Sequence, residues 1–349
     1  MFDKKIKINQ ETDAFRTYQR IIPFFKDMLE KDTGSPSQYW SQEISGFDYM
    51  FDASPLIINK MRHHCYHLTG ERDYAYRDHH LYKSGQFKSK LELLDSIAQK
   101  KLFISEPNIL GGFGFKFDGK MVNKDTLKFY ECMIALERSR ILDDLVSKSE
   151  NFTTCEIGGG WGGFAYHFCS LFPKAKYVLV DLPQTLIFSY IFLTEAFPDK
   201  RVKLYEYEEK SLTESDILLI PNGSFEKFSE KLDLGVNVCS FQEMTTKQII
   251  NYVKKLSDSN CKYMYSLNRN LNKNNDSLDQ PVELLISKYF DTERIEILDI
   301  PYTDLNIKNL DQGLMNKDLK IFFKNLIKLI IQNKKDPKFG YVHTIGKKI

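Results

Sequence analysis

A glycine-rich string, EIGGGWGG at residues 156–163 (the glycine loop), is the feature that most constrains how this chain can fold. It lies between a short apolar run and the amphipathic segment FAYHFCSLF, so it connects a predicted strand to a predicted helix. Glycines at such a junction allow a tight turn, close approach of a ligand to bare backbone, and close packing of the helix on the strand. This context is typical of a nucleotide-binding turn rather than of a flexible linker.

Short apolar runs continue to alternate with helical patterns after the glycine loop. The predicted strands, seven in number, are Thr153 to Ile157, Tyr177 to Val180, Ile217 to Ile220, Leu234 to Cys239, Tyr263 to Leu267, Arg294 to Ile300 and Gly340 to Ile345. This alternation favours an α/β fold with one doubly wound sheet that helices cover on both faces. We expect this domain to span residues 151–349, after a separate and mainly helical N-terminal region of residues 1–150.

The N-terminal region carries its own local signals. Two segments have apolar residues at helical spacing, Ala14 to Leu29 and Ser54 to Leu68. Alternating phenylalanines and the turn pair Asp118-Gly119 predict a short hairpin between Phe113 and Val122. Asn123 is then expected to cap a helix whose apolar positions continue to Leu145.

Composition and charge exclude several classes of protein. The chain has 349 residues, of which 42% are hydrophobic and 28% are charged, as in ordinary globular proteins. Lys and Arg (49) nearly balance Asp and Glu (47), so we expect no nucleic-acid partner. The longest apolar-rich run, Leu186 to Phe197, is too short to span a bilayer, and the first residues lack a signal peptide. With six cysteines and no CxxC pair, these features favour a cytoplasmic protein with buried, reduced thiols.

Two acidic residues beside the glycine loop bear on the ligand. Asp181 ends the next predicted strand, where a carboxylate can accept two hydrogen bonds from ribose hydroxyls. Glycines 158, 160 and 163 followed by this acid also satisfy the dinucleotide fingerprint, so a nicotinamide-dependent oxidoreductase stays an alternative. Glu156, two residues before the first glycine of that pattern, would repel a pyrophosphate but would attract the ammonium group of S-adenosylmethionine. The sequence therefore favours S-adenosylmethionine as cofactor.

Three strings, CEIGGGWGGFAYHF, VLVDLPQTL and VNVCSFQEM, resemble a bacterial sugar O-methyltransferase family within the class I S-adenosylmethionine-dependent methyltransferases. The likeness is strongest from about residue 152 to 270, and RHHCYHLTGE is similar to that family's N-terminal region. The resemblance implies a Rossmann-like seven-stranded sheet. It also implies O-methylation of a sugar hydroxyl, on a surface glycan or its precursor, as in polysaccharide biosynthesis. A free sugar or a nucleotide sugar is an equally open form of the acceptor.

The resemblance also implies which residues contact the donor. They are Glu156, Gly158, Gly159, Gly160, Asp181 and Leu182, with Ser240 and Phe241 after the fourth strand, and with Asn222, Ser224 and Phe225 reaching the adenine edge. The segment PNGSF at residues 221–225 has an alternative interpretation, because Pro-Asn-Gly is a strong turn signal in any protein.

The acceptor is expected on the side of the segment that follows the fourth strand. Methyl transfer from a sulfonium is an in-line displacement, so positioning is its main requirement, and Glu243 can serve as general base. Alternatively, Glu243 caps the helix that starts at Thr245 or supplies a charge to its first turn. Gln242, Asn268 and Arg269 are candidates for hydrogen bonds to sugar hydroxyls, unless the last two merely start the Asn-rich loop.

Histidines form a second constellation, in the N-terminal region. His63, His67 and Glu71 have i, i+4 spacing, which resembles a zinc site, but Gly70 is expected to end the helix before Glu71. We therefore expect no metal. His67 is predicted to meet Glu243 across the cleft as a base or hydroxyl-binding group, with an ordinary structural role as the alternative.

Other features keep alternatives open. Glu243, Asp276 and Asp279 could hold a divalent ion, and His79-His80 has no distinguishing spacing. Lys317 to Gln332 forms a basic amphipathic pattern, which suits either peripheral contact with an anionic membrane or an ordinary helix with a solvated lysine face. A non-catalytic glycan-binding module with a degenerate donor site is the rival to an enzyme.

Overall fold

The computed structural model describes residues 12–30, 36–77, 81–148, 151–205, 207, 211–272, 274–298 and 340–349. The pair His79-His80, the pattern from Lys317 to Gln332, and the end of the predicted strand Arg294 to Ile300 lie outside the described residues.

Helices occupy most of the N-terminal region and then alternate with strands. The helices are α1 (Asp13–Glu30), α2 (Gln38–Ile44), α3 (Pro55–Asn59), α4 (Met61–His64), α5 (Tyr66–Thr69), α6 (Leu81–Ile97), α7 (Lys124–Arg138), α8 (Ile141–Lys148), α9 (Gly163–Leu171), α10 (Pro183–Ala196), α11 (Thr246–Asp258) and α12 (Val282–Ile286). The strands are β1 (Phe115–Phe117), β2 (Lys120–Val122), β3 (Thr153–Ile157), β4 (Lys176–Asp181), β5 (Val202–Leu204), β6 (Ile217–Pro221), β7 (Leu234–Val238), β8 (Tyr263–Arg269), β9 (Phe290–Ile295) and β10 (Tyr341–Lys348).

Strands β3 to β10 form one sheet in the order β5-β6-β4-β3-β7-β8-β10-β9. β10 pairs antiparallel with both β8 and β9, and the other neighbouring pairs are parallel. The inner strands β4, β6 and β7 are buried along nearly their whole length, as expected when helices cover both faces. The strand order reverses at β3, and ligands of open α/β sheets bind beyond the carboxyl ends of the strands at such a point. The glycine loop follows β3 at this position.

The doubly wound α/β fold predicted from the sequence is confirmed, with two differences in its strands. β5 was not predicted, because a strand of three residues at the edge of the sheet has too few side chains to show a pattern. The sixth predicted strand, Arg294 to Ile300, was placed too late, since β9 spans Phe290–Ile295. β9 is an edge strand with several exposed side chains, so it lacks the apolar run that marks the inner strands.

Local signals in the N-terminal region had mixed outcomes. The hairpin is confirmed: Asp118 and Gly119 both have positive φ, 47° and 78°, as a type I′ turn requires. The cap at Asn123 is also confirmed, because its side chain accepts the Thr126 N–H at 2.9 Å. The helix after it ends earlier than predicted, since Arg140 has a left-handed φ of 59° and separates α7 from α8.

The predicted helix from Ser54 to Leu68 is wrong as one continuous element. The chain forms α3, α4 and α5 there, which are separated at Lys60 and Cys65. Lys60 has φ −120° and ψ 23°, outside the helical region, so the apolar residues follow a nearly helical path in three short pieces. Gly70 ends α5 with a left-handed φ of 71°, as predicted.

The N-terminal region packs on the helices of the sheet. Phe25 of α1 and Phe47 belong to the same buried apolar cluster as Phe188 of α10, and the rings of Phe47 and Phe188 lie 5.7 Å apart. Five of the six cysteines are buried, Cys239 is partly buried, and none forms a disulfide. Among the described residues, no helix has the length and apolar character needed to cross a membrane.

Candidate active site

A cleft lies at the carboxyl ends of the inner strands and is closed on its other side by the N-terminal region. It contains about 1170 Å³ of space, part of which opens to solvent. Its walls combine the glycine loop, the ends of β4 and β7, and side chains from α2, α5 and α7; they are Pro36, Ser37, Trp40, Leu68, Thr69, Lys128, Phe129, Glu156, Gly158, Gly159, Gly160, Trp161, Gly163, Phe164, Val180, Asp181, Leu182, Thr185, Asn222, Val238, Cys239, Ser240, Gln242, Glu243, Met244, Gln248, Tyr252 and Tyr341.

The glycine loop has the backbone shape that its sequence predicts. Gly158 and Gly160 have left-handed φ angles of 75° and 55°. A Cβ atom at Gly158 would lie 1.8 Å from Ser240 Oγ, so only glycine fits there. At Gly160 no heavy atom would lie within 4 Å of such a Cβ, and this open side leaves the backbone accessible to a ligand.

Asp181 joins the end of β4 to the glycine loop. Its Oδ2 accepts the Gly160 N–H and its Oδ1 accepts the Leu182 N–H, each at 2.7 Å. Burial raises the pKa of Asp181 to about 7. A carboxylate has about four acceptor positions, so two backbone donors leave room for ligand hydroxyls.

Glu156 lies at the carboxyl end of β3, where it is buried and lines the cleft. Its Oε2 accepts the Tyr177 hydroxyl at 2.8 Å. Burial raises the pKa of Glu156 to about 8, because the ionised form is poorly solvated there. A cationic ligand group beside this carboxyl would favour its ionised form.

Buried charges connect the N-terminal region to the glycine loop. Lys128 Nζ lies 3.1 Å from Asp125, and Asp125 lies 3.8 Å from the Arg62 guanidinium. Arg62 Nε donates to Glu106 at 2.6 Å, and the guanidinium carbon lies 3.5 Å from the centre of the Trp161 ring. Because Trp161 belongs to the glycine loop, this stack fixes the loop against the N-terminal region.

A buried amide network holds the segment after β7. Asn237 Nδ2 donates to the Ile157 carbonyl at 2.7 Å, while its Oδ1 accepts the Phe241 N–H at 3.0 Å. Asn268 Nδ2 donates to the same Oδ1 at 2.7 Å, and Asn268 Oδ1 accepts the Gln242 N–H at 3.2 Å. Asn268 was predicted to bind substrate, but it is only 2% exposed and these bonds occupy it. The structure places it behind the cleft as a support.

The other two predicted substrate residues, Gln242 and Arg269, differ in their relation to the cleft. Gln242 lines the cleft, and its Oε1 accepts the Arg269 N–H at 2.9 Å. The Arg269 guanidinium lies over the Tyr341 ring at 4.7 Å and is outside the cleft lining. Tyr341, at the start of β10, takes a cleft position that the sequence did not indicate.

Glu243 lines the cleft beside Gln242. Burial raises the pKa of Glu243 to about 8, while hydrogen bonds from Trp40 and Gln242 favour its ionised form. The helix after it is capped by Thr245, whose side chain accepts the Gln248 N–H, so Glu243 does not serve as the cap. A carboxyl with a pKa near neutrality in a cleft is suited to proton transfer.

His67 lies outside the cleft lining, although Leu68 and Thr69 next to it are part of it. Its Nε2 lies 3.3 Å from the Tyr49 hydroxyl, and its ring packs against Tyr66 with centroids 3.9 Å apart. α5 has only four residues and turns Leu68 and Thr69 towards the cleft instead. The predicted meeting of His67 with Glu243 is therefore not found.

The possible metal ligands are also dispersed. His63 Nδ1 lies 3.7 Å from Asp73, and Glu71 pairs with Lys124 at 2.9 Å. Asp276 and Asp279 do not line the cleft, and Asp279 accepts the Thr246 hydroxyl. In the described part of the chain, no three His, Cys, Asp or Glu side chains are arranged to hold a metal ion.

Three predicted donor contacts lie in the interior. Ser224 is 3% exposed, and Phe225 is 1% exposed and packs near Phe228 and Tyr252. Phe241 is fully buried in the apolar cluster on the same side of the sheet. Of the PNGSF segment, Asn222 lines the cleft, because the single helical turn that follows β6 directs the next side chains inward.

Sequence reasoning missed several residues of the cleft, among them Trp40, Lys128, Trp161 and Tyr252. Trp161 carried a signal, since a large ring inside a glycine string needs a partner. Lys128 carried none, because one lysine in an amphipathic helix resembles any solvated lysine.

The strand order β6-β4-β3-β7-β8-β10-β9, with an antiparallel β10 between β8 and β9, defines a Rossmann-like class I methyltransferase fold. No protein-family model and no curated protein matches the sequence.

The solved structures that align with this chain are distant from it. A cyclopropane synthase from Mycobacterium tuberculosis aligns over 56% of this chain and 78% of its own, with 12% identity and a TM-score of 0.32. A Haemonchus contortus phosphoethanolamine N-methyltransferase in complex with S-adenosyl-L-methionine aligns over 67% of this chain and 61% of its own, with 11% identity and a TM-score of 0.33. A magnesium protoporphyrin IX methyltransferase from Synechocystis with bound SAM aligns over 74% of this chain and 97% of its own, with 7% identity and a TM-score of 0.35. Values this low do not bear on substrate, so the fold class rests on the strand order.

Proposed function

We propose that this chain is an S-adenosylmethionine-dependent O-methyltransferase that acts on a sugar hydroxyl of a surface glycan or its precursor. The observation that carries the proposal is the buried carboxyl of Glu156 beside an open glycine turn at the switch point of the sheet. This carboxyl complements an ammonium group, Asp181 complements ribose hydroxyls, and we assign Asn222, which lines the same cleft, to the adenine edge.

The charges of the cleft favour this donor over a dinucleotide. Among the described lining residues, the carboxyl groups are those of Glu156, Asp181 and Glu243, and the cationic side chain is that of Lys128. A pyrophosphate beside the glycine loop would be repelled by the ionised forms of these acids, so it could bind only where they stay protonated. A sulfonium and an ammonium group would be attracted to them.

The proposed mechanism assigns separate tasks to the residues of the cleft. S-adenosylmethionine, held by Glu156 and Asp181, would supply an electrophilic methyl group for in-line transfer to an acceptor oxygen, with S-adenosylhomocysteine as the leaving group. Glu243 accepts the proton of the acceptor hydroxyl. Gln242 and the buried network behind it keep Glu243 in place, and the N-terminal wall of the cleft excludes water from the reacting groups.

A sugar as acceptor is supported by the polar side chains that the N-terminal region and the end of the sheet bring to the cleft. Ser37, Trp40, Gln242, Gln248 and Tyr341 place hydroxyl, indole and amide groups around the same cleft as Glu243. Small sugars have little apolar surface, so a dense set of such polar groups is what their recognition requires. We also propose a cytoplasmic location. For Lys317 to Gln332, contact with an anionic membrane stays an alternative to an ordinary helix with a solvated lysine face.

Ligand-dependent thermal unfolding tests this function. S-adenosylmethionine and S-adenosylhomocysteine should raise the melting temperature, because they bind only the native state, and NAD should not. A shift with NAD alone would favour the nicotinamide-dependent oxidoreductase. Donor binding without transfer to any glycan in a broad acceptor panel would favour the non-catalytic module.

Asp181→Ala should weaken S-adenosylhomocysteine about 10- to 100-fold in calorimetry, because ribose acceptors and the bond to the Gly160 N–H are lost together. 5′-Methylthioadenosine contains the same ribose, so its affinity should fall equally. The exposed Asp199→Ala is the matched control and should change neither value. Unchanged affinity in Asp181→Ala would contradict the ribose assignment.

Donor binding should release protons from Glu156. This carboxyl has a pKa of about 8 in the ligand-free chain, so it is largely protonated at neutral pH, and a bound ammonium group favours its ionised form. Affinity should therefore rise between about pH 6 and pH 8. Calorimetry in buffers of different ionisation enthalpy measures the released protons, and Glu156→Gln should remove most of them. Equal proton release in both proteins would show that Glu156 does not face the ammonium group.

A further inference from the structure

Lys128 has no role in the proposed function so far, although its side chain lies in the cleft. We propose that Lys128 forms an anion subsite that binds the α-carboxylate of the methyl donor's amino acid part. This inference rests on the proposed function, since it concerns the same donor. It makes Lys128 and Glu156 a pair of opposite charges that recognise a zwitterion.

The position of Lys128 supports this role. It lies in the first turns of α7, its side chain is only 15% exposed, and it lines the same cleft as the glycine loop and Glu156. Its charge favours the ionised forms of both Glu156 and Glu243, which places the ammonium within electrostatic range of both carboxyls. Lys128 therefore shares the cleft with Glu156, the carboxyl that we assign to the ammonium of the donor.

Charge balance in the cleft leads to the same conclusion. An α-amino acid carries its ammonium and its carboxylate on one carbon. A site that binds the ammonium therefore needs a cation nearby to bind the carboxylate. Of the described residues that line the cleft, Lys128 alone has a cationic side chain. Without it, the donor carboxylate would enter a partly dehydrated cleft beside the acids Glu156 and Asp181.

Neighbouring residues hold the Lys128 ammonium and leave it hydrogen-bond donors for a ligand. An ammonium has three donors, and Asp125 Oδ1 accepts one of them at 3.1 Å. Asp125 also faces Arg62, at 3.8 Å, so its negative charge is shared between two cations. Burial by itself would lower the pKa of Lys128, but Asp125 raises it above the usual range, so the side chain stays charged.

Three ligands separate the two charges of the donor. S-adenosylhomocysteine has both the ammonium and the carboxylate, its decarboxylated analogue has only the ammonium, and 5′-methylthioadenosine has neither. In calorimetry, Lys128→Met should weaken binding of S-adenosylhomocysteine about 10- to 100-fold, change binding of the decarboxylated analogue far less, and leave binding of 5′-methylthioadenosine unchanged. Lys128→Arg, which keeps the charge, should retain most of the affinity.

Glu156→Gln is the matched variant, which tests binding of the ammonium group where Lys128→Met tests binding of the carboxylate. It should weaken S-adenosylhomocysteine and the decarboxylated analogue, which share the ammonium, and leave 5′-methylthioadenosine unchanged. Because Lys128→Met deprives Asp125 of a partner and can destabilise the fold, the double variant Lys128→Met/Asp125→Asn removes both charges. It should show the same ligand pattern as Lys128→Met.

Each other outcome overturns the inference. Equal weakening of all three ligands by Lys128→Met would assign Lys128 a structural role. Wild-type affinity of Lys128→Met for S-adenosylhomocysteine would show that Lys128 does not bind the donor carboxylate, and an anionic group of the acceptor would then be tested as its ligand. Failure of the wild-type chain to bind any of the three ligands would instead contradict the proposed function itself.

Discussion

Glu243→Gln is expected to lower the turnover number by about 10²- to 10⁴-fold, the range that a general base contributes. The amide is similar in size and can still accept a hydrogen bond, but it cannot take the proton of the acceptor hydroxyl. The affinity for S-adenosylhomocysteine should change little, since the donor site is built around Glu156 and Asp181. Turnover is measured as S-adenosylhomocysteine formed in the presence of an accepted sugar.

The pH profile gives a second measure of the same role. The pKa of Glu243 is about 8, and a base acts in its ionised form, so kcat/KM for the acceptor, measured at saturating donor, should rise with pH towards about 8. This rise should be absent in Glu243→Gln. The exposed Glu226→Gln should behave as wild type, and His67→Ala should have a smaller effect because His67 lies outside the cleft lining. Near-normal turnover in Glu243→Gln would place the proton acceptor elsewhere.

Gly158→Ala is expected to abolish measurable donor binding and to lower the melting temperature. The new Cβ would lie 1.8 Å from Ser240 Oγ, at a residue whose φ is 75°. A left-handed alanine costs about 1–3 kcal/mol before any clash, and relieving the clash would move either the glycine loop or the segment after β7. Both border the donor site, so calorimetry with S-adenosylhomocysteine and thermal unfolding should respond together.

Two control variants separate the effect of the left-handed backbone angle from the effect of the clash with Ser240. Gly119 has a φ of 78° with no atom within 4 Å of an added Cβ, so Gly119→Ala measures the backbone penalty at a site remote from the cleft. Adding Ser240→Gly to Gly158→Ala removes the clashing side chain and should restore part of the binding. Wild-type affinity in Gly158→Ala alone would show that the loop is not held as described.

Features that depend on short stretches of chain were predicted well. The glycine loop, the turn at Asp118-Gly119, the cap at Asn123 and the stop at Gly70 each follow from the backbone angles or hydrogen bonds of a few adjacent residues. The buried inner strands were found because continuous apolar runs are rare outside such sheets. The edge strands β5 and β9 were missed or misplaced, since partly exposed strands lack that run.

The candidate site was only partly predictable, because a residue's type does not determine whether its side chain lines the cleft or is buried behind the lining. The sequence by itself determined the α/β class, the glycine loop and the acids at its border, Glu156 and Asp181, since these follow from local pattern and spacing. Only the tertiary structure decided that Asn268 supports the cleft from behind and that His67 lies outside its lining. It alone brought Lys128 and Glu156 into one cleft and stacked Arg62 on Trp161, because this packing joins segments far apart in the chain and no local signal encodes it.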